Sequence, residues 1–121
     1  MKRTTKKGRP RLSPSEYRIR ASVAQALGNA NRLMILDALA VGEMCVCDIV
    51  KMLNCDQSTV SRHLAVLRNA GVVEDRRQGT RIFYRLACPC VTKFFDCIEE
   101  VIASQLSWRR MLFAGLDRGA K

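Results

Sequence analysis

Residues 43 to 70 hold two short amphipathic stretches with three residues between them, and that spacing leaves few folds open. In the first, from Glu43 to Leu53, Val46, Ile49, Val50 and Leu53 recur at helical core spacing. In the second, from Gln57 to Ala70, Val60, Leu64 and Leu67 form an inner stripe and Gly71 ends the run. The link Asn54-Cys55-Asp56 has room only for a tight turn, so the pair reads as a helix-turn-helix. The helical wheel turns Ser58, Ser61, Arg62 and Ala65 away from the stripe. Together with Gln57 and Thr59, they place hydroxyl, amide and guanidinium donors at the N-terminal end of the second helix, where they can reach base edges in a DNA major groove. His63 lies about 60° from the stripe, which predicts a packed or hydrogen-bonded ring. As the sole histidine it cannot build a multi-histidine zinc site.

The flanking segments complete the domain. Ser13-Pro14-Ser15-Glu16 combines an N-cap, a proline at the first helical position and a glutamate three residues after the cap. The helix it opens carries Ile19, Val23, Ala26 and Leu27 as a stripe and ends at Gly28. Asn29 or Asn31 caps another helix through Leu33, Leu36 and Leu39, stopping near Gly42. Val72 to Leu86 reads as a hairpin turning at Gln78-Gly79, with Arg76, Arg77 and Arg81 near its tip as a wing along the DNA backbone. Cys88-Pro89-Cys90 then leads into a last helix bearing Val91, Phe94, Phe95, Ile98, Val101, Ile102 and Leu106. So broad an apolar face on a terminal helix predicts a dimer surface. The expected fold is mainly α with a β-hairpin wing, a homodimeric winged helix-turn-helix. The domain runs over 13–114, between a disordered basic arm at 1–12 and a frayed tail at 115–121.

Charge supports a polyanionic partner. The chain carries 21 Lys and Arg against 11 Asp and Glu, a formal +10. The first 20 residues hold eight basic groups and one acid, leaving +3 for the other 101. Double-stranded DNA is the expected partner. Within the arm, Gly8-Arg9-Pro10 resembles the core of an AT-hook, in which Arg9 would enter an A·T minor groove; a generic arm touching phosphates is the alternative. No apolar run approaches the roughly 20 residues of a spanning helix and no signal-peptide core follows the basic start. A membrane partner is therefore not expected, and a cytoplasmic location with reduced thiols is. No nucleophile, base and orienter set and no glycine-rich phosphate loop is visible, which argues against an enzyme.

The order of helices, the sequence Glu43-Met44-Cys45-Val46-Cys47-Asp48-Ile49, the segment Ser58-Thr59-Val60-Ser61-Arg62-His63-Leu64 and the wing together resemble the ArsR/SmtB family of metal- and metalloid-responsive repressors, in its arsenic-responsive type. The resemblance covers roughly residues 16 to 106. It implies a homodimer that binds an operator near its own promoter and releases it when an ion binds. It also implies that Cys45 and Cys47 are a thiolate pair for arsenite, antimonite, cadmium or lead. Arsenic-responsive members often place a third cysteine where this chain has Val50. Cadmium- and lead-responsive members draw cysteines from the N-terminal arm, which here has none, and zinc-sensing members use Asp and His on the last helix, where this chain offers Asp96 without His. The third ligand is thus expected from elsewhere or from solvent, with Cys88, Cys90 and Cys97 as candidates. As(III) or Sb(III) is the expected inducer, with Cd(II), Pb(II) or Zn(II) as alternatives.

Spacing adds a constraint of its own. Residues two apart on an intact helix point about 200° apart, so Cys45 and Cys47 would straddle Val46 and could share an ion only if the helix start were irregular or unwound. Cys97 lies seven residues past Cys90, roughly 10 Å along a helix, and packing is an equal alternative for it. Cys55, in the turn, is expected to pack. Three functions stay open on the sequence: a repressor released by a thiophilic ion, a repressor sensing oxidants or persulfide through cysteine pairs, and a constitutive architectural DNA-binding protein.

Overall fold

Three helix starts are fixed by side chains whose types suit the task. In a computed structural model that describes residues 8–105 together with Arg110, Leu112 and Ala114, α1 spans Pro14–Leu27. The Ser13 hydroxyl accepts from the Glu16 amide at 3.3 Å and the Glu16 carboxylate accepts from the Ser13 amide at 3.2 Å, a reciprocal capping box. Asn29 caps α2 (Ala30–Val41) by accepting from the Arg32 amide. Asp56 caps α4 (Gln57–Asn69) through the Thr59 amide at 2.9 Å. Between them α3 (Val46–Leu53) closes at Asn54, whose φ of 55° is the left-handed conformation that asparagine tolerates at a helix end. Residues 1–7 of the expected arm, Leu106 and the expected tail from Gly115 lie outside the described residues.

The hydrophobic stripes converge where their spacing directs them. Ile35 and Leu36 of α2, Ile49 of α3 and Val60, Leu64 and Leu67 of α4 are the most deeply buried side chains. The stripe expected on α1 is covered only at its C-terminal end, at Ala26 and Leu27, while Ile19 stays 64% exposed. Strands β2 (Val73–Gln78) and β3 (Arg81–Leu86) form the expected hairpin. Its turn residues are Gly79, at φ +63°, and Thr80, one position beyond the expected turn.

The main departure lies at Glu43–Cys45, expected as the first turn of a helix. Gly42 ends α2, and Met44–Cys45 is a two-residue strand, β1, paired antiparallel with β3 in the register Met44↔Tyr84 and Cys45↔Phe83. The sheet order is β1-β3-β2, so the wing strand β3 is central. An edge of β3 left bare by the hairpin is satisfied by this short segment, and its ladder outweighs the helical pattern of the residues that follow.

The chain divides into two compact units, the first ending at Cys88. The second contains α5 (Val91–Ser104), on which Phe94 and Phe95 meet edge-on with ring centroids 6.4 Å apart. On the same helix Val101 and Ile102 are exposed.

Leu67→Ala should destabilise the fold by about 2–5 kcal/mol in urea unfolding, since the removed atoms come from a fully enclosed site. Val41→Ala, at a residue 93% exposed, should change stability by less than about 0.5 kcal/mol.

Candidate functional site

Two thiols meet where the short strand becomes a helix. Cys45 is extended (φ −74°, ψ 147°), ends β1 and occupies the N-cap position of α3, while Cys47 is the second residue of that helix. The change from strand to helix between them removes the 200° divergence of an intact helix and brings the two Sγ atoms to 2.6 Å. The irregular start that ion sharing demands is therefore built into the fold. Two sulfurs held at about 2.3 Å in a tetrahedral shell sit roughly 3.8 Å apart, so the pair needs to open by only about 1 Å to grip one ion.

Their surroundings make the two sulfurs unequal. Cys45 is buried and Cys47 exposed. The hydrogen bond with the Cys47 thiol holds the Cys45 pKa below that of an ordinary thiol. Burial opposes this, and the Cys47 and Asp48 amides and the Arg81 charge assist it, although no full capping hydrogen bond forms. Cys47 is pushed up by the same hydrogen bond, by partial desolvation and by the charges of Cys45 and Asp48, which oppose its ionisation.

The pair is tied to the wing through Phe83, which faces Cys45 across one edge of β3 and Arg76 across the other. The Arg76 guanidinium lies 4.7 Å over the Phe83 ring and donates to both carboxylate oxygens of Glu43, at 2.8 and 2.7 Å, and to Gln78 at 2.8 Å. Glu43 precedes Cys45 by two residues, and this contact lowers its pKa. Arg76, expected on the DNA-facing wing, is exposed there with its guanidinium engaged by Glu43; sequence alone could not show this contact, because the partner is 33 residues away. Arg77 and Arg81 are exposed as expected. Arg68 of α4 pairs with Asp75 of β2 at 3.3 Å, joining the second helix of the motif to the hairpin.

On α4, Gln57, Ser58, Ser61 and Arg62 are exposed, and Thr59 is half-buried with its hydroxyl accepting from Arg62 at 3.4 Å. His63 turns inward, where its Nδ1 accepts from Arg32 at 3.2 Å. The same guanidinium donates to the carbonyls of Ala26 and Gln25, tying the end of α1 to α2 and α4. Burial and the charges of Arg32 and Arg62 lower the His63 pKa and keep the ring neutral. Arg9 is exposed ahead of α1.

Between α3, α4 and the wing lies a cavity of about 720 Å³, lined by Cys45, Cys47, Lys51, Arg68, Arg81 and Tyr84 among others. Cys88 and Cys90 are disulfide-bonded, a state in which neither offers a thiolate. Cys97 is exposed on α5. Cys55 packs in the turn as expected, its Sγ 3.6 Å from the Leu53 carbonyl. Among the described residues no group of three or more His, Cys, Asp or Glu side chains is placed to hold a metal ion, so the pair supplies two donors and no more. Lys51 and Glu43 had no distinguishing signal in the sequence.

Comparison with known proteins adds a frame. The model of a family described as "Bacterial regulatory protein, arsR family" matches residues 29–75. An uncharacterized HTH-type transcriptional regulator of Methanocaldococcus jannaschii is 39% identical over 87 residues, covering 71% of this chain and 98% of that protein. The arsenical resistance operon repressor of Escherichia coli K12 is 45% identical over 62 residues, 50% of this chain and 53% of the repressor, so the chain spans about half the length of that relative. The solution structure of the homodimeric winged helix-turn-helix DNA-binding domain of a possible ArsR-family regulator from Mycobacterium bovis superimposes with a TM-score of 0.67 at 36% identity, over 82% of this chain and 91% of that one.

Thiolate absorbance near 240 nm should rise in two separate steps assignable to the pair, one below and one above the ordinary thiol range, when the protein is titrated against a Cys45→Ala/Cys47→Ala reference. Cys47→Ala alone should raise the Cys45 step by removing its hydrogen-bond partner. A single step at the ordinary position in the unmodified protein would contradict the sulfur–sulfur hydrogen bond.

Proposed function

Because the chain belongs to the ArsR family of bacterial regulatory proteins, and is accordingly a DNA-binding transcriptional regulator and not an enzyme, we propose that it is a repressor released from its operator by arsenite, antimonite or a related thiophilic ion held by Cys45 and Cys47. The observation that carries the reading is the contact of the two sulfurs at the junction of β1 and α3. Soft trivalent ions favour thiolates, and the contact with Cys47 lowers the Cys45 pKa. The similarity to an arsenical resistance repressor is consistent with this input.

In this reading Gln57, Ser58, Thr59, Ser61 and Arg62 meet the major groove, Arg77 and Arg81 meet phosphates beside it, and Arg9 adds a contact from the arm. Arg76 acts indirectly by fixing Glu43 and Phe83. The protein works as a homodimer, like the Mycobacterium bovis domain, and pairing would cover the apolar residues exposed on α5. Spreading the sulfurs to grip an ion displaces β1 against β3 and α3 against α4, so ligation and the DNA-binding geometry bias one element in opposite directions.

A second reading has its own support. The disulfide state of Cys88 and Cys90 favours a repressor whose input is an oxidant or persulfide.

Both readings are separable by fluorescence anisotropy on operator DNA. Arsenite should weaken binding at least tenfold in the unmodified protein, while Cys45→Ser and Cys47→Ser stay bound. Arg62→Ala should weaken binding and Arg77→Ala should lower the salt slope by about 1. Normal release by arsenite from the double serine variant would refute the thiol pair. Release by peroxide in metal-free buffer, without a response to arsenite, would establish the redox input instead.

A further inference from the structure

We propose that the third sulfur on the bound ion is supplied by a small carboxylate-bearing thiol, so that the effector is an anionic thiol adduct of the trivalent ion seated in the cavity between α3, α4 and the wing. The inference rests on the thiol-pair reading above and specifies its ligand. Three observations lead to it. The protein offers two sulfurs in contact and, among the described residues, no third donor grouped with them. The cavity that the pair opens into is about 720 Å³, a volume suited to a small organic molecule and far beyond that of a bare ion. Its lining includes Lys51, Arg68 and Arg81 and no carboxylate side chain.

Charge and hydrogen bonding then specify the class of thiol. Arg68 is partly neutralised by Asp75, which leaves Lys51 and Arg81 as the leading partners for carboxylates. Gln57, Ser61 and Thr80 also line the space and provide amide and hydroxyl groups for a peptide-like body. The exchange balances without any redox partner. Each of three thiols, two from the protein and one from the small molecule, gives its proton to a hydroxyl of arsenous acid, which leaves as water. Three As–S bonds replace three As–O bonds, arsenic stays trivalent and no sulfur is oxidised.

The location gives the adduct a second effect. Gln57, Ser61 and Arg81 line the cavity and are also among the groups proposed to meet DNA. An anion held there competes with phosphate for Arg81 directly, in addition to displacing β1.

The test uses the full-length protein, kept anaerobic, with arsenite alone, with arsenite plus reduced glutathione, and with arsenite plus the uncharged thiol 2-mercaptoethanol. Native mass spectrometry should show a ternary species containing one arsenic and one glutathione per chain, and X-ray absorption should show three sulfur neighbours in it. With arsenite alone, two sulfurs and one oxygen are expected. The glutathione adduct should bind at least tenfold more tightly than the mercaptoethanol adduct, and that ratio should fall to near one in Lys51→Ala/Arg81→Gln. Three sulfur neighbours without any added thiol, equal affinity for the two adducts, or a ratio unmoved by the double substitution would each overturn the proposal. Arsenite binding that survives Cys45→Ser/Cys47→Ser would instead remove the thiol-pair reading itself, and this inference with it.

Discussion

Two ladder residues, Met44 and Cys45 on the edge of β3, set the geometry on which the rest of the molecule's chemistry depends. Were that segment helical, the thiols would diverge to opposite sides of Val46. Held extended, it turns into α3 within one residue, and both sulfurs face the same space. The same ladder makes β3 the central strand, so a hairpin that would otherwise project on its own is anchored to the helical core. One local interaction thus forms the site and connects it to the wing.

Around that ladder the charges have distinct duties. Glu43 and Arg76 clamp the start of β1 to β2 across the face of Phe83, while Arg68 and Asp75 join α4 to the same strand. Arg81, at the start of β3, eases ionisation of both thiols and also faces outward beside the second helix of the motif. Three exposed wing arginines that look uniform in the sequence therefore differ in one respect: Arg76 is held in an ion pair with Glu43. An exposed ion pair contributes little to stability by itself. The value of the Glu43–Arg76 contact lies in fixing the register of a two-residue strand.

Three of the helices were legible because each combined a stripe with a cap. Ser13 and Glu16, Asn29, and Asp56 with the Val60, Leu64 and Leu67 stripe all satisfy local rules, and the hairpin announced itself by its glycine turn. β1 was not legible, because a strand of two residues has no periodicity and its cause is a bare edge some 40 residues later. For the same reason the 200° divergence expected of Cys45 and Cys47 on an intact helix does not hold. The cavity, and the part of Lys51 in it, exist only once α3, α4 and the wing are brought together. The disulfide state of Cys88 and Cys90 could not be read from spacing either, since the same Cys-Pro-Cys suits free ligands equally well.

The dependence of the wing on the thiol junction is open to direct measurement by amide hydrogen exchange, residue by residue, with and without one equivalent of arsenite. Ligand binding should alter protection at Met44 and Cys45 and, in parallel, at Phe83 and Tyr84, their register partners on β3. Altered protection around Cys45 and Cys47 with β3 unchanged would contradict a mechanical link between the two.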